Sequence, residues 1–399
     1  MKNISNSNFK NKKILLRVDL NVPFINGKVS DLSRIHSIKS TIFKIRENKN
    51  KIFLLSHFGR PKGKYNKKYS LEFLCDIIKE ILNLNKIFFS PSINEKDLKY
   101  IQSQMADDDV CLIENIRFCE GEEKNDLDFS KYLSQFFDLY VNDAFSASHR
   151  EHASIVGIVK FLPAFAGISF SKEIKYLNSF IDDPKKPTTC ILGGSKISTK
   201  LSLIENLIEY SDCIIIAGAM ANTLLYNQGY NIGKSLIENN MSEVVDKIFQ
   251  KAKKFNCKII LPTDVVCSRD LNEVLDIRHC HVKDILPNQM ILDIGDKTIK
   301  NIKDILIKSK TILWNGPLGA FEKKPFDNAT NEIADTINKN AKKLNIVCIA
   351  GGGDTLSAIN KAKALEGFTY VSTAGGAFLE WLEGKESPGA KALRENKLT

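Results

Sequence analysis

Arginine, lysine and glycine are the residues whose placement could do chemistry in this 399-residue chain. The sequence offers no evident Ser-His pair or paired carboxylates for acid–base work. Arg34 opens the first helical pattern. Asp19 and Asn21, then His57 and Arg60, then Arg117, then His149 and Arg150 each follow a short apolar run. One arginine after a strand is usually a surface residue. Four on successive units, each a planar and permanently charged fork, point to a pocket for a small, multiply charged anion. His36, His279 and His281 have no such company and read as structural.

The second half carries glycines where the first carries arginines: Gly193-Gly194, Gly218, Gly316 with Gly319, Gly351 to Gly353, and Gly375-Gly376. Glycine lets the backbone approach a ligand closely and offers N–H groups to phosphate oxygens, although each cluster alone could be a tight turn. In "IVCIAGGGDTLSAI" (346–359) a buried-type strand breaks into three glycines, then Asp354 and Thr355. Thr355 can cap the helix that follows, and Asp354 can be the lone protein carboxylate on a Mg²⁺ otherwise held by phosphates and water. In "GGSKISTK", Lys196 and Lys200 lie four apart, which on the first turns of a helix points both toward a polyphosphate. "GYNIGKS" (229–235) imitates a phosphate-binding loop, but only three residues separate its glycines and a helical pattern precedes it. No G-x-G-x-x-G follows the first strand, so a dinucleotide dehydrogenase lacks support. An anionic acid in one domain and a Mg-nucleotide in the other could exchange a phosphoryl group if the domains approached and shed water.

The elements that must position these residues alternate as β and α from end to end. "KILLRVDL", "KIFLLSHF", "DVCLIENI" and "DLYVNDAF" in the first half, and "TTCILGG", "CIIIAGAMA", "KIILPTDVV", "TILWNGP", "IVCIAGGG" and "YVSTAGG" in the second, are near-continuous apolar runs. Such runs belong to parallel sheets covered on both faces. The fold class expected is α/β, two doubly wound, Rossmann-like parallel-sheet domains joined by a hinge helix. The charged, two-proline segment "IDDPKKPTT" (181–189) marks the exit from that helix. The expected division is an anion-binding domain over 1–170 and a linking helix plus nucleotide domain over 171–379.

Composition narrows the class further. An apolar content of 43% and a charged content of 26% are those of an ordinary globular protein, and no run approaches the 18 or so apolar residues of a membrane span. Nine cysteines without C-x-x-C spacing suit small buried side chains in a reducing cytoplasm rather than zinc or disulfides. The formal charge of +10 raises nucleic-acid binding, but the lysines are dispersed and rarely interleaved with aromatics. A field that steers a small anion serves at least as well.

Taken in order, "RVDLNVPF", "SHFGRPKG", "ENIRF", "NDAFSASHREHAS", "LGGSKISTK", "WNGPLGAFE", "AGGGDT" and "STAGGAFLEWLEGK" closely resemble the motifs of the phosphoglycerate kinase family, across essentially the whole chain. The resemblance implies an enzyme, usually a hinge-bending monomer, that interconverts 1,3-bisphosphoglycerate plus ADP with 3-phosphoglycerate plus ATP in glycolysis. It implies that Asp19, Asn21, Arg34, His57, Arg60, Arg117 and Arg150 bind phosphoglycerate. Lys196, Lys200, Glu322, Gly352, Gly353, Asp354 and Thr355 would bind nucleotide, with Asp354 on Mg²⁺. Arg34, Lys200 and the backbone at Gly375 and Gly376 would stabilise the moving phosphoryl. The tail, about 380–399, would return to the first domain. Two positions depart from the family pattern: Ser146 and Ala374 stand where glycines are usual. Alanine would be strained at 374 if that position needed a positive φ. The alternatives are a basic nucleic-acid-binding protein or a catalytically silent homologue.

Overall fold

In the computed structural model, which describes residues 1–25, 27–272 and 276–398, the apolar runs owe their continuity to burial on both faces. The strand Lys13–Arg17 sends Ile14 and Leu16 into one hydrophobic core and Leu15 and Arg17 to the opposite face, all four buried. It lies inside a six-stranded sheet ordered Phe88–Ser90, Val110–Ile113, Lys51–Leu55, Lys13–Arg17, Leu139–Asn142, Ala164–Ala166, with every pairing parallel.

A second six-stranded sheet runs Lys258–Ile260, Cys213–Ile216, Thr188–Leu192, Thr311–Asn315, Val347–Gly351, Tyr370–Ser372, again wholly parallel. Counted along the chain, this is the order 3-2-1-4-5-6. The winding therefore reverses between Thr188–Leu192 and Thr311–Asn315, where such sheets open a crevice for ligands. The expected α/β class with two parallel-sheet domains is borne out. One run differs from its expectation: "KIILPTDVV" is two strands, because Pro262 has no N–H to continue the ladder. Lys258–Ile260 stays in the parallel sheet. Asp264–Ser268 becomes the centre of a three-stranded antiparallel sheet between Arg278–His281 and Met290–Ile294.

Helices cover the sheets with apolar faces at helical spacing. Asp296–Leu306 buries Ile299, Ile302 and Leu306 in the second core, and its first turn is capped from a strand, as Asp264 accepts the Lys297 and Thr298 amides at 2.9 and 2.7 Å. The chain divides into two compact units, Met1–Lys175 with the segment from Glu386 onward, and Tyr176–Lys385. The helix Ile168–Ile181 carries the chain from one to the other. Within the first unit the tail helix Pro388–Glu395 starts on a Ser387 cap with Pro388 at its first position. Gly389 donates to the Ser148 carbonyl at 2.9 Å, and a side chain at Gly389 would collide with Ser148.

Candidate functional sites at the two sets of strand ends

In the first unit the strand ends bring most of the expected anion ligands together. Asp19 is the hub. Its Oδ2 pairs with Arg34 Nη1 at 2.7 Å and accepts the Ser146 hydroxyl, and its Oδ1 accepts the Asn21 amide at 2.9 Å. Arg34 also donates to the Asn21 carbonyl at 3.0 Å, and Asn21 Oδ1 accepts the Gly59 amide at 2.9 Å. Arg117, nearly fully buried, donates to the Gly59 carbonyl at 2.7 Å and lies 3.2 Å from Glu123. Arg150 donates to His149 Nε2 at 3.1 Å. Arg60 is exposed on the same side, near enough to Arg150 to affect its charge.

The electrostatics are those of crowded cations. Burial would raise the Asp19 carboxyl, but Arg34 and the hydrogen bonds from Ser146 and Asn21 hold it down at about 2. Burial lowers Arg117 to about 10, with repulsion from Arg150 and Arg17 adding to it. Burial and Arg60 likewise lower Arg150. An anion seated among these guanidiniums relieves their repulsion, which is the physical basis of an anion site here.

Arg17, wholly buried at the end of its strand, lies outside the expected set of anion ligands. Its Nε donates to Ser154 Oγ at 3.0 Å and its Nη2 lies 3.1 Å from His57 Nδ1. Behind it Glu122, also fully buried, accepts the Ser154 hydroxyl at 2.7 Å and amide at 2.8 Å. The available signal was an arginine interrupting an otherwise apolar strand.

In the second unit the ligand-facing groups are mostly main chain. At the switch point two strand ends nearly touch: a Cβ on Gly193 would lie 1.8 Å from the Pro317 carbonyl oxygen, and one on Gly316 2.3 Å from the Gly193 oxygen. Gly316 also sits at φ +96, so glycine is needed on both counts. This close approach gathers acceptors for Lys200, whose Nζ donates to Gly193 O and to Asn315 Oδ1, both at 2.6 Å. Asn315 in turn donates to the Gly351 carbonyl at 2.7 Å, tying together three strand ends. Burial lowers Lys200 to about 8, against an opposing pull from Asp354.

A cleft of about 380 Å³ adjoins this point. Gly194, Gly218, Leu236, Leu292, Leu318 and Phe321 line it, with Glu322 and Asp354 also on its wall. This mixture of apolar wall and few polar groups is typical of small-molecule sites. Asp293, unmarked by any sequence signal, stands in the same wall. It accepts the Ala329 and Ile294 amides at 2.9 Å each, and burial pushes its carboxyl up to about 8.

Two expectations need correction. Thr355 does not cap the helix Gly353–Lys361; its hydroxyl accepts the Gly316 amide at 2.7 Å, drawn there by the buried turn after Asn315. Lys196 and Lys200 do not share a helix face, because the chain between them is a turn and a short 3₁₀ segment, with Lys196 exposed and Lys200 turned inward. Ala374 escapes strain, since the left-handed residue is Gly375 at φ +55, directly before the helix Gly376–Leu382. His36, His279 and His281 are exposed. All nine cysteines are free thiols, and among the described residues no group of three His, Cys, Asp or Glu could hold a metal. No helix among them is long and apolar enough to cross a membrane.

Two doubly wound parallel sheets, one ending in an arginine cluster and the other in a glycine-lined cleft with an inward-turned lysine, define an α/β protein built for small anionic ligands. A family profile described as Phosphoglycerate kinase matches residues 4–385. Curated phosphoglycerate kinases of Chelativorans sp. (strain BNC1) and Rhizobium meliloti (strain 1021) are each 44% identical over 384 residues, 96% of either chain. The solved phosphoglycerate kinase of Coxiella burnetii superposes with a TM-score of 0.89 at 36% identity, covering 98% of both chains. That of Pyrococcus horikoshii OT3 gives 0.82 at 27% identity, over 99% of this chain and 98% of its own. The chain belongs to the phosphoglycerate kinase family.

Proposed function

We propose that the chain catalyses the reversible, Mg²⁺-dependent transfer of a phosphoryl group between 1,3-bisphosphoglycerate and ADP, giving 3-phosphoglycerate and ATP, as a cytoplasmic monomer. It is a kinase whose acceptor is a carboxyl group. The single observation that carries the residue-level reading is the seat of Lys200, a half-buried lysine whose ammonium is held on Gly193 O and Asn315 Oδ1 at the switch point beside the cleft.

On this reading Asp19, Asn21, Arg34, His57, Arg60, Arg117 and Arg150 hold phosphoglycerate, the cations taking its phosphate and carboxylate charges. The cleft takes the nucleotide, with Glu322 on ribose hydroxyls, the backbone of Gly352 and Gly353 near the phosphates, and Lys196 supplying charge from the rim. Thr355 contributes by fixing the turn at Gly316. Asp354 is exposed on the cleft wall, and a single carboxylate without a protein cage suits a Mg²⁺ whose remaining ligands are phosphates and water. Bound there, the cation neutralises phosphate charge.

In the ATP-consuming direction the nucleophile is a carboxylate, already ionised at neutral pH because such acids titrate near 4. A bond forms from its oxygen to the terminal phosphorus as the bond to the ADP oxygen breaks, so no proton needs to be removed and no general base is required. What the chain supplies is position and positive charge: Arg34 from the first unit, Lys200 and the Gly375-Gly376 amides from the second. A coupled assay with 3-phosphoglycerate, ATP and Mg²⁺ that follows the acyl phosphate through NADH oxidation tests this. Turnover requiring all three components is expected. Turnover unaffected by a chelator would contradict the metal assignment, and its absence from folded protein the function itself.

A further inference from the structure

We propose that Arg17 is a positioning residue that holds His57 as the neutral imidazole with its proton on Nε2. His57 then meets the bound anion as an uncharged hydrogen-bond donor. The second half of this rests on the reading of His57 as a phosphoglycerate ligand.

The contact at issue is Arg17 Nη2 to His57 Nδ1, 3.1 Å. A guanidinium has only donors and keeps its charge in proteins. The partner nitrogen must therefore present a lone pair, which excludes a proton on Nδ1. That rules out both the imidazolium, in which both nitrogens donate, and the Nδ1–H tautomer. The neutral form left carries its proton on Nε2.

Arg17 is itself immobilised. Its Nε is held by Ser154 Oγ at 3.0 Å and its Nη1 by the Val18 carbonyl at 2.5 Å. Its buried charge is answered through Ser154 by Glu122, with His152 Nδ1 3.6 Å from the same carboxylate. The charged groups facing His57 are Arg17, Asp19, Arg117 and Arg150, three cations against one carboxylate. Burial first, and then Arg17, hold the imidazole well below its usual range. A neutral donor adds a directed hydrogen bond to an anion already surrounded by guanidiniums, and it does so without a titration near neutral pH.

The test reads the tautomer directly in the full-length protein. The chain has six histidines, so long-range ¹⁵N–¹H spectra resolve each ring, with His57→Gln used for assignment. The expected result is an unprotonated Nδ1 and a protonated Nε2 for His57, unchanged between about pH 6 and pH 8.5. An Nδ1–H tautomer, or a midpoint near the usual value of about 6.5, would overturn the proposal.

Arg17→Lys, which still only donates, should keep the tautomer. Arg17→Met combined with Glu122→Gln leaves neither buried charge without its counterpart. It should mix the tautomers, restore titration and raise KM for 3-phosphoglycerate about tenfold at pH 8, with the loss shrinking below pH 7. An unchanged tautomer in that variant would reduce Arg17 to a structural role. Should it fail to fold, the wild-type spectrum still decides the tautomer, and an Nδ1–H form appearing in Arg17→Lys would overturn the positioning role. Titration of the wild type with 3-phosphoglycerate should shift the His57 signals. Unmoved signals would overturn the second half and the assignment beneath it, leaving the tautomer to be judged on its own spectra.

Discussion

At the strand ends of the first sheet, charge is concentrated in side chains: Arg34, Arg60, Arg117 and Arg150 gather around Asp19 and His57. At the strand ends of the second, the main chain does most of the shaping, with Gly193 and Gly316 so close that neither can carry a Cβ. The difference follows from what each must hold. A small acid with its charge exposed is best met by forks that reach it. A nucleotide needs an apolar cleft for its base and backbone N–H groups close to its phosphates. The two constructions should therefore fail differently. Substitutions of Arg60, Arg117 or Arg150 should cost affinity and that of Arg34 turnover as well, whereas some in the glycine cradle should cost the fold itself.

The largest expected effect tests that asymmetry. Gly316→Ala forces a Cβ to within 2.3 Å of the Gly193 oxygen at a positive φ. It should lose about 3 kcal/mol of stability and nearly all turnover, because the seat of Lys200 moves. Chemical denaturation alongside the coupled assay measures both, and a normal denaturation midpoint would break the comparison.

Gly353→Ala sharpens it. Open space surrounds that Cβ and φ is not positive, so the midpoint should match the wild type while the nucleotide KM rises about tenfold through crowding of the phosphates. A loss of stability with unchanged KM would show that Gly353 serves the fold.

The pH response should also differ in sign between groups. Lys200 titrates at about 8 when folded, against about 10.4 when unfolded. The folded state thus holds fewer protons across that window, and the contribution of Lys200 to stability rises with pH there, while kcat/KM falls as the ammonium is lost. Asp293, raised to about 8, works oppositely: its contribution falls as pH climbs from about 4 to 8. Denaturation midpoints across pH for the wild type and Lys200→Met separate the two, and a variant that keeps the alkaline rise would contradict the Lys200 assignment.

The smallest effect belongs to Ser146→Ala, which removes one of the hydrogen bonds to Asp19. About 1 kcal/mol or less of stability and a KM for 3-phosphoglycerate raised a few-fold are expected. A large fall in kcat would mean that Ser146 does more than steady Asp19.

The arginine cluster was legible in the sequence because residue type and place after an apolar run carry the signal, and both survive without coordinates. The glycine clusters were legible as places but not as geometry. That Gly193 and Gly316 face each other depends on two strands more than a hundred residues apart becoming neighbours at the switch point. The same cause hid the true partner of Thr355 and the inward turn of Lys200, which local helical spacing assigned otherwise. Arg17 and Asp293 escaped because a polar residue inside a buried run acquires meaning only from what lies behind it: Ser154 and Glu122 in one case, the Ala329 amide in the other. Pro262 split one expected strand into two sheets, and there the breaker was visible in the sequence.

Steady-state kinetics of Lys200→Ala test the central claim most directly, that positioned charge rather than acid–base chemistry drives the transfer. Lost charge stabilisation predicts a fall in kcat of about a thousandfold, with the nucleotide KM within about threefold of the wild type. A variant that keeps its kcat and loses only nucleotide affinity would contradict it.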